Sequence, residues 1–125
     1  MEWNFETHTK QGNAGLGYAI AYYTSKGHSV SIPLNDSQKY DLIVDINDIL
    51  FRVQVKTTKQ KLKNFKVSLR TISGRKVLGF KPSSFDILFV LTSEKSLYEI
   101  PSEVLFSYKN SINLTDKWNK YKVFL

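Results

Sequence analysis

The chain has 125 residues, a formal net charge of +7 at pH 7 and a hydrophobic fraction of 42%. These values predict one globular domain, residues 1–125, and exclude an intrinsically disordered chain. The absence of cysteine excludes disulfides and thiolate metal sites, and it fits a reducing cytoplasm. Without a signal peptide or a bilayer-spanning apolar stretch, we expect a soluble protein. Its positive charge favours a polyanionic partner.

The first predicted element is an amphipathic α-helix. Asn13 is suited to cap its N-terminus, and Gly27 is suited to end it after about Ser25. Residues 1–11 are expected to form a poorly ordered or loosely docked lead-in. Three glycines in this region, at 12, 15 and 17, match no nucleotide-binding pattern and favour close packing of the helix. Apolar residues recur at the spacing of a helix that lies on a sheet: Leu16, Ala19, Ile20 and Tyr23.

A strand and a polar loop follow the helix. Residues 28–34 alternate polar and apolar, which predicts a strand that Pro33 keeps at a sheet edge. The loop at 35–38 contains Asp36, whose carboxylate suits a turn-forming role. Asp36 is also an outside candidate for a carboxylate at a functional site.

Residues 40–56 form the central stretch of the sequence. Two runs rich in β-branched and aromatic residues flank Asn47-Asp48, which predicts a β-hairpin with its turn at that pair. Folding the segment about this turn places Asp41 opposite Gln54, with Cβ atoms about 5 Å apart. The opposite face carries the predicted core residues Leu42, Val44, Val53 and Val55.

The hairpin register gathers three polar side chains at one end. Lys56 lies two residues beyond Gln54, so it shares a face with Gln54 and Asp41. The oxygens of a carboxylate and an amide are hard ligands that suit Mg²⁺, and a nearby lysine can orient the hydroxide that attacks phosphorus. Many solvated hairpins meet the same spacing, so a purely structural interpretation stays open at this point.

Basic residues concentrate between residues 56 and 81. Alternating lysines often protect a solvated sheet edge, but in this chain they follow Lys56 directly and would flank the site. Phosphate contacts by such residues supply most non-specific DNA affinity. The predicted DNA-contacting residues are Lys10, Lys59, Lys61, Lys63, Lys66, Arg70, Arg75 and Lys76.

The remaining sequence predicts further strands and two short helices. Residues 85–91 form a nearly continuous apolar run, typical of a strand covered on both faces, with Asp86 in a structural role. Aromatic residues of the tail, Trp118 among them, are expected to pack on the body of the domain. The other predicted elements are strands at 65–70 and 97–100, a turn at 73–76, and helices at 102–106 and within 113–121.

Asp41 followed by Gln54-Val55-Lys56 resembles the PD-(D/E)XK nuclease signature, with glutamine at the middle position that is usually Asp or Glu. The likeness is closest to the small enzymes of this superfamily that are associated with group I introns. It extends over Thr9-Lys10-Gln11-Gly12, the helix from Gly15 to Ala21, Pro33-Leu34, Tyr40 to Asp45, Arg52 to Thr57, Phe85 to Val90 and Leu97 to Pro101.

The resemblance implies an α/β fold with a mixed central β-sheet flanked by helices, a restriction-endonuclease-like core. It also implies a Mg²⁺-dependent endonuclease for double-stranded DNA, with Asp41, Gln54 and Lys56 in the catalytic positions. Asp41, Gln54 and the Val55 carbonyl would hold the metal. Relatives often carry a glutamate where this chain has Leu16.

Three functions follow as alternatives. The first is a homing-type endonuclease, expected to be a homodimer or larger oligomer because one small domain holds one active site and a double-strand break needs two. The second is a junction-resolving or repair nuclease. The third is a DNA-binding module that has lost catalysis on the same scaffold.

Overall fold

A mixed six-stranded sheet organises the domain. The computed structural model describes residues 7–35, 38–61, 64–73 and 76–125. Its elements are α1 (His8–Ser25), β1 (Ser29–Ser31), β2 (Leu42–Ile46), β3 (Ile49–Thr58), β4 (Gln60–Lys61), β5 (Asn64–Ser68), β6 (Thr71–Ser73), β7 (Lys76–Leu78), β8 (Ile87–Thr92), β9 (Leu97–Pro101), β10 (Ser111–Asn113) and β11 (Lys122–Val123), with 3-10 helices at Pro82–Ser84, Ser102–Leu105 and Asp116–Tyr121.

The order of strands in the main sheet is β1-β2-β3-β8-β9-β11. Strand β3 is antiparallel to β2 and parallel to β8, and the other pairs are antiparallel. All six residues of β8 are buried, as expected for a strand covered on both faces. The predicted mixed sheet with a helix packed on it is therefore confirmed.

Two apolar cores lie on opposite faces of this sheet. The helix-side core lies between α1 and the sheet and contains Ala19, Tyr22, Tyr23, Leu42, Val44, Val53, Ile87, Phe89, Leu91 and Leu97. The second core is covered by small strands and 3-10 helices, and contains Val67, Leu69, Phe85, Leu88, Val90, Tyr98, Ile100, Leu105, Ile112 and Trp118. Trp118 thus packs on the body of the domain, as predicted.

Helix α1 begins at His8, five residues before the predicted cap at Asn13. Thr7 has extended backbone and caps the helix, with its hydroxyl oxygen accepting from the Lys10 N–H at 3.2 Å. The predicted start was wrong because the first two turns carry no apolar stripe. Gly27 has a φ of +84° just after the helix, the left-handed conformation that glycine adopts at low cost, and the predicted end is confirmed.

The β2–β3 hairpin has the predicted register, from Ile46 opposite Ile49 to Leu42 opposite Val53. Asn47 and Asp48 both have positive φ, 52° and 68°, which is the backbone of a type I′ turn. The Asp45 carboxylate accepts from the Asp48 N–H at 2.9 Å, so it serves the turn.

Other elements depart from prediction at their boundaries. The edge strand predicted over 28–34 is only Ser29–Ser31, because Pro33 lacks the N–H to continue the ladder. The strand predicted over 65–70 is Asn64–Ser68, in a separate three-stranded sheet with β10 and β4. The two predicted C-terminal helices are 3-10 helices.

The predicted turn at 73–76 has its two central residues, 74–75, outside the described residues; β6 and β7 pair antiparallel. Asp86 has the structural role expected of it. Its carboxylate accepts from the Arg52 backbone N–H at 2.8 Å and forms an ion pair with the Arg52 guanidinium at 3.2 Å. None of the described helices is long and apolar enough to span a membrane.

Candidate active site

Asp41 lies immediately before β2, where the ladder between β2 and β3 ends. Its N–H donates to the Val53 carbonyl, and its carboxylate Oδ2 accepts from the Val55 N–H, both at 2.8 Å. The carboxylate therefore takes the place of a strand partner for Val55. One oxygen of Asp41 is committed to the backbone, and Oδ1 forms no hydrogen bond within the described part of the chain.

The surroundings of Asp41 act on its pKa in opposite directions. Burial raises the pKa, while the hydrogen bond from the Val55 N–H and the nearby charge of Lys56 lower it. Burial is the stronger effect, so the pKa of Asp41 lies above its ordinary value. The carboxylate gains from any further cation that approaches it.

Lys56 extends from the opposite face of β3 to that covered by α1. Its Nζ donates to the Arg70 carbonyl at 2.6 Å. Burial lowers the pKa of Lys56, and the charge of Asp41 opposes that shift. The pKa of the amine consequently lies below its ordinary value, and the amine gives up its proton more readily than a solvated lysine.

Gln54 and the Val55 carbonyl complete the predicted site. Gln54 is half-buried, and its Nε2 approaches the Val55 carbonyl oxygen only at the long distance of 3.5 Å. Asp41 Oδ1, the Gln54 amide oxygen and the Val55 carbonyl oxygen are all hard donors, and this donor chemistry fits Mg²⁺. No group of three or more His, Cys, Asp or Glu suited to a metal occurs among the described residues.

An open pocket of about 430 Å³ adjoins Asp41. Leu16 of α1, at the position where relatives often carry a glutamate, lines the same pocket as Asp41. The pocket therefore offers an apolar wall where a second carboxylate would stand. Its other lining residues are Ile32, Pro33, Leu34, Asn35 and Tyr40.

The predicted DNA-contacting residues are placed only in part. Lys10, Lys59, Lys66 and Arg70 are exposed. The Thr58 hydroxyl donates to the Lys66 carbonyl at 2.7 Å, which holds β5 against the end of β3 that follows Lys56. Lys61 and Lys76 lie on β4 and β7, while Lys63 and Arg75 lie outside the described residues. DNA contact by this group stays a prediction.

Sequence reasoning missed a contact between α1 and β3. Gln11 is 8% exposed, and its Nε2 donates to the Thr57 hydroxyl oxygen at 2.9 Å. Gly15, one turn later, packs directly on Thr57. Gln11, Gly15 and Ala19 follow one another at intervals of four, so extending the helical stripe toward the N-terminus would have revealed the contact.

A family model described as PD-(D/E)XK endonuclease matches residues 6–122. The chain belongs to this family. A solved structure titled as that of a bacterial homing endonuclease, I-Ssp6803I, is similar over 93% of this chain and 87% of that chain, with a TM-score of 0.73 and 28% sequence identity. No curated protein sequence matches the chain. The predicted family, fold and nuclease class are thereby confirmed.

Proposed function

We propose that this PD-(D/E)XK endonuclease is a homing-type enzyme that hydrolyses phosphodiester bonds in double-stranded DNA with Mg²⁺. The observation that carries the proposal is the hydrogen bond from the Val55 N–H to Asp41 Oδ2, which brings a half-buried carboxylate to the end of the hairpin strand where Lys56 follows Val55. The similarity to a bacterial homing endonuclease supports it.

The protein shell for the metal is Asp41 Oδ1, the Gln54 amide oxygen and the Val55 carbonyl oxygen. PD-(D/E)XK nucleases use divalent metal ions. A bound Mg²⁺ would supply Lewis-acid stabilisation of the charge on the scissile phosphate. The shell carries one formal negative charge, so it binds Mg²⁺ weakly until DNA phosphates add ligands, as is common for this ion.

Lys56 acts on the attacking water. Its Nζ is oriented by the Arg70 carbonyl at 2.6 Å, which leaves two donor positions for the water and the phosphate. Because burial lowers the pKa of this amine, Nζ can release a proton nearer neutral pH than a solvated lysine can, and its neutral form can then accept one from the water. In its charged form it also offsets the negative charge that develops on the phosphate.

Basic residues around the site would hold the DNA. Lys59, Lys66 and Arg70 follow the strand that carries Lys56 or pack near its end, and all three are exposed. Contacts from these side chains to phosphates give sequence-independent affinity and fix the DNA over the catalytic residues. Lys10, Lys61, Lys63, Arg75 and Lys76 complete the proposed DNA-contacting group.

Two features favour a second candidate, a DNA-binding module without catalysis. Gln54 is neutral where the signature usually has an acid, and Leu16 gives an apolar wall to the pocket beside Asp41. Both reduce the charge available to hold a metal. This candidate predicts retained DNA affinity and no cleavage in any divalent ion.

Cleavage of supercoiled plasmid, linear duplex and four-way junction DNA, each with Mg²⁺ and with chelator, tests the proposal. A homing-type enzyme cuts duplex DNA at a defined site only when Mg²⁺ is present. Faster cleavage of the junction than of the duplex would assign the protein to junction resolution. Binding without cleavage of any substrate would favour the inactive module.

A further inference from the structure

Among the described strands, the segment of β3 that carries Val55, Lys56 and Thr57 has a partner on one side only. Val55, Lys56 and Thr57 pair with β8, but the ladder with β2 ends at Leu42 opposite Val53. On that open side the Val55 N–H is held by the Asp41 carboxylate. With one ladder fewer than a central strand, this segment depends more on side-chain contacts for its position.

Helix α1 supplies such contacts through Gln11 and Gly15. The Gln11 amide donates to the Thr57 hydroxyl oxygen at 2.9 Å. At Gly15 an added Cβ would lie 2.5 Å from Thr57 Cγ2 and 3.3 Å from Val55 Cγ1, so no larger residue fits without a shift. By contrast, a Cβ at Gly12 or Gly17 would meet nothing within 4 Å.

The two contacts depend on one another through the Thr57 side chain. Thr57 is β-branched, so rotating its χ1 to move the methyl group from Gly15 also moves the hydroxyl away from Gln11. Lys56 lies between the two residues that Gly15 touches, and its side chain leaves the strand on the opposite face. A displacement of Val55 and Thr57 therefore moves Lys56 and the Val55 carbonyl together.

We infer that Gln11 and Gly15 are positioning residues, which seat Thr57 and Val55 so that Lys56 and the Val55 carbonyl reach their catalytic geometry. Neither residue touches the reacting groups. The expected effect of these residues on the cleavage rate rests on the proposed endonuclease function. Their expected effect on the geometry of β3 is independent of that function. Displacements on the order of 1 Å can lower a rate about a hundredfold, so the close packing of α1 on Thr57 and Val55 bears on the cleavage rate.

A suppressor pair of variants tests this role. Gly15→Ala should lower kcat for DNA cleavage about tenfold or more while KM changes by less than about twofold. Thr57→Ser removes the clashing methyl group and keeps the hydroxyl, so the double variant Gly15→Ala/Thr57→Ser should recover most of kcat. Thr57→Ser alone keeps the hydrogen bond to Gln11 and loses only the methyl contact with Gly15, so it should lower kcat less than Gly15→Ala does.

Matched controls lie on the same helix. Gly12→Ala and Gly17→Ala make the same change of residue type without a neighbour to displace, so kcat should stay at the wild-type value. Gln11→Ala, which introduces no clash, should lower kcat in the same direction as Gly15→Ala. A Gly15→Ala loss that Thr57→Ser fails to recover would overturn the inference, as would an unchanged kcat in both Gly15→Ala and Gln11→Ala.

Amide hydrogen exchange gives a readout that needs no cleavage. Exchange of the Val55 N–H should accelerate about tenfold in Gly15→Ala and return in the double variant, while exchange at Leu88 and Val90 of β8 stays unchanged. Unchanged exchange at Val55 would overturn the inference. If the wild-type protein cuts no DNA, the proposed function fails, and the exchange result alone still decides whether α1 seats this segment.

Discussion

At the scale of single residues, burial shifts the pKa values of Asp41 and Lys56 in opposite directions. Burial raises the pKa of the acid and lowers the pKa of the amine, while the attraction between their charges opposes both shifts. Each group is thus less stable in its charged form than it would be in water. A cation that enters the site would stabilise the charged form of Asp41, and a DNA phosphate would stabilise the charged form of Lys56.

The raised pKa of Asp41 has a consequence for stability. Because the folded-state pKa lies above the unfolded value of about 3.9, ionisation of Asp41 destabilises the fold. The penalty is absent below the unfolded pKa, grows as pH rises from the unfolded to the folded pKa, and stays constant above the folded pKa. Asp41→Asn keeps an acceptor for the Val55 N–H, so it should raise the melting temperature at pH 7 and lose that advantage near pH 3.

Asp86→Asn is the matched control, for which we expect the opposite change in melting temperature at pH 7. Burial raises the pKa of Asp86, but hydrogen bonds and charge from Arg52 outweigh it, so the folded-state pKa is lowered. Its stabilisation is present above the unfolded pKa and is lost as pH falls through the folded pKa. Asp86→Asn should lower the melting temperature at pH 7. Equal responses of the two variants in thermal unfolding would contradict the assigned pKa directions.

Gln54 sets the charge of the proposed metal shell. Gln54→Glu adds an anionic ligand with little change of shape, so it should tighten Mg²⁺ binding to the free protein, although pairing of the new charge with Lys56 would lower the rate. Calorimetry of the wild-type protein should detect Mg²⁺ binding only in the DNA complex. Tight binding without DNA would require a further carboxylate at the site.

The pairing at this site was predictable from the sequence for a local reason. Side chains alternate along a strand, so the position of the Asn47-Asp48 turn alone predicts that Asp41 and Lys56 share one face of the hairpin. The hydrogen bond from the Val55 N–H to Asp41 was not predictable, because it depends on where the β2–β3 ladder ends. The contact of Lys56 with the Arg70 carbonyl joins residues 14 apart and required the tertiary fold.

At the scale of secondary-structure elements, local patterns predicted types better than boundaries. The hairpin and the buried strand β8 follow directly from β-branched and apolar runs. Helix α1 was predicted too short because its first turns are fixed by the Thr7 cap and the contact between Gln11 and Thr57. The spacing of four from Gln11 through Gly15 to Ala19 was the available signal for these turns, but Gln11 is not apolar and so does not count toward an apolar stripe.

The exposed lysines near the end of β3 give a prediction for that element. Replacing Lys59 and Lys66 together by glutamine should weaken binding to all DNA sequences alike and reduce the slope of log K against log salt by about two. Lys122→Gln is the control, because it lies on β11 at the edge of the sheet, with β8 and β9 between it and β3. An unchanged slope would assign these lysines to protection of a solvated edge.

At the scale of the whole molecule, the fold class followed from the resemblance and the order of elements, but the cover of the second core did not. The three-stranded sheet of β4, β5 and β10 joins residue pairs such as Val67 and Ile112, which lie far apart in the sequence. No local pattern in the sequence specifies such a pairing. The overall architecture was therefore more predictable than the packing of its second face.

The assembly is a prediction at the same scale. One domain of 125 residues provides a single Asp41–Lys56 site, whereas a double-strand break needs two. We expect a homodimer or a larger symmetric oligomer. Light scattering should give at least twice the monomer mass. A monomer both free and on DNA that it cleaves would contradict the expectation.

The most direct test of the account is plasmid cleavage by Asp41→Ala and Lys56→Ala in Mg²⁺, measured beside DNA affinity and thermal stability. Each variant should reduce the cleavage rate by about a thousandfold or more, because each removes a group assigned to the metal or to the attacking water. DNA affinity should stay close to that of the wild type, since the exposed lysines remain. Cleavage at the wild-type rate by either folded variant would contradict the assigned active site.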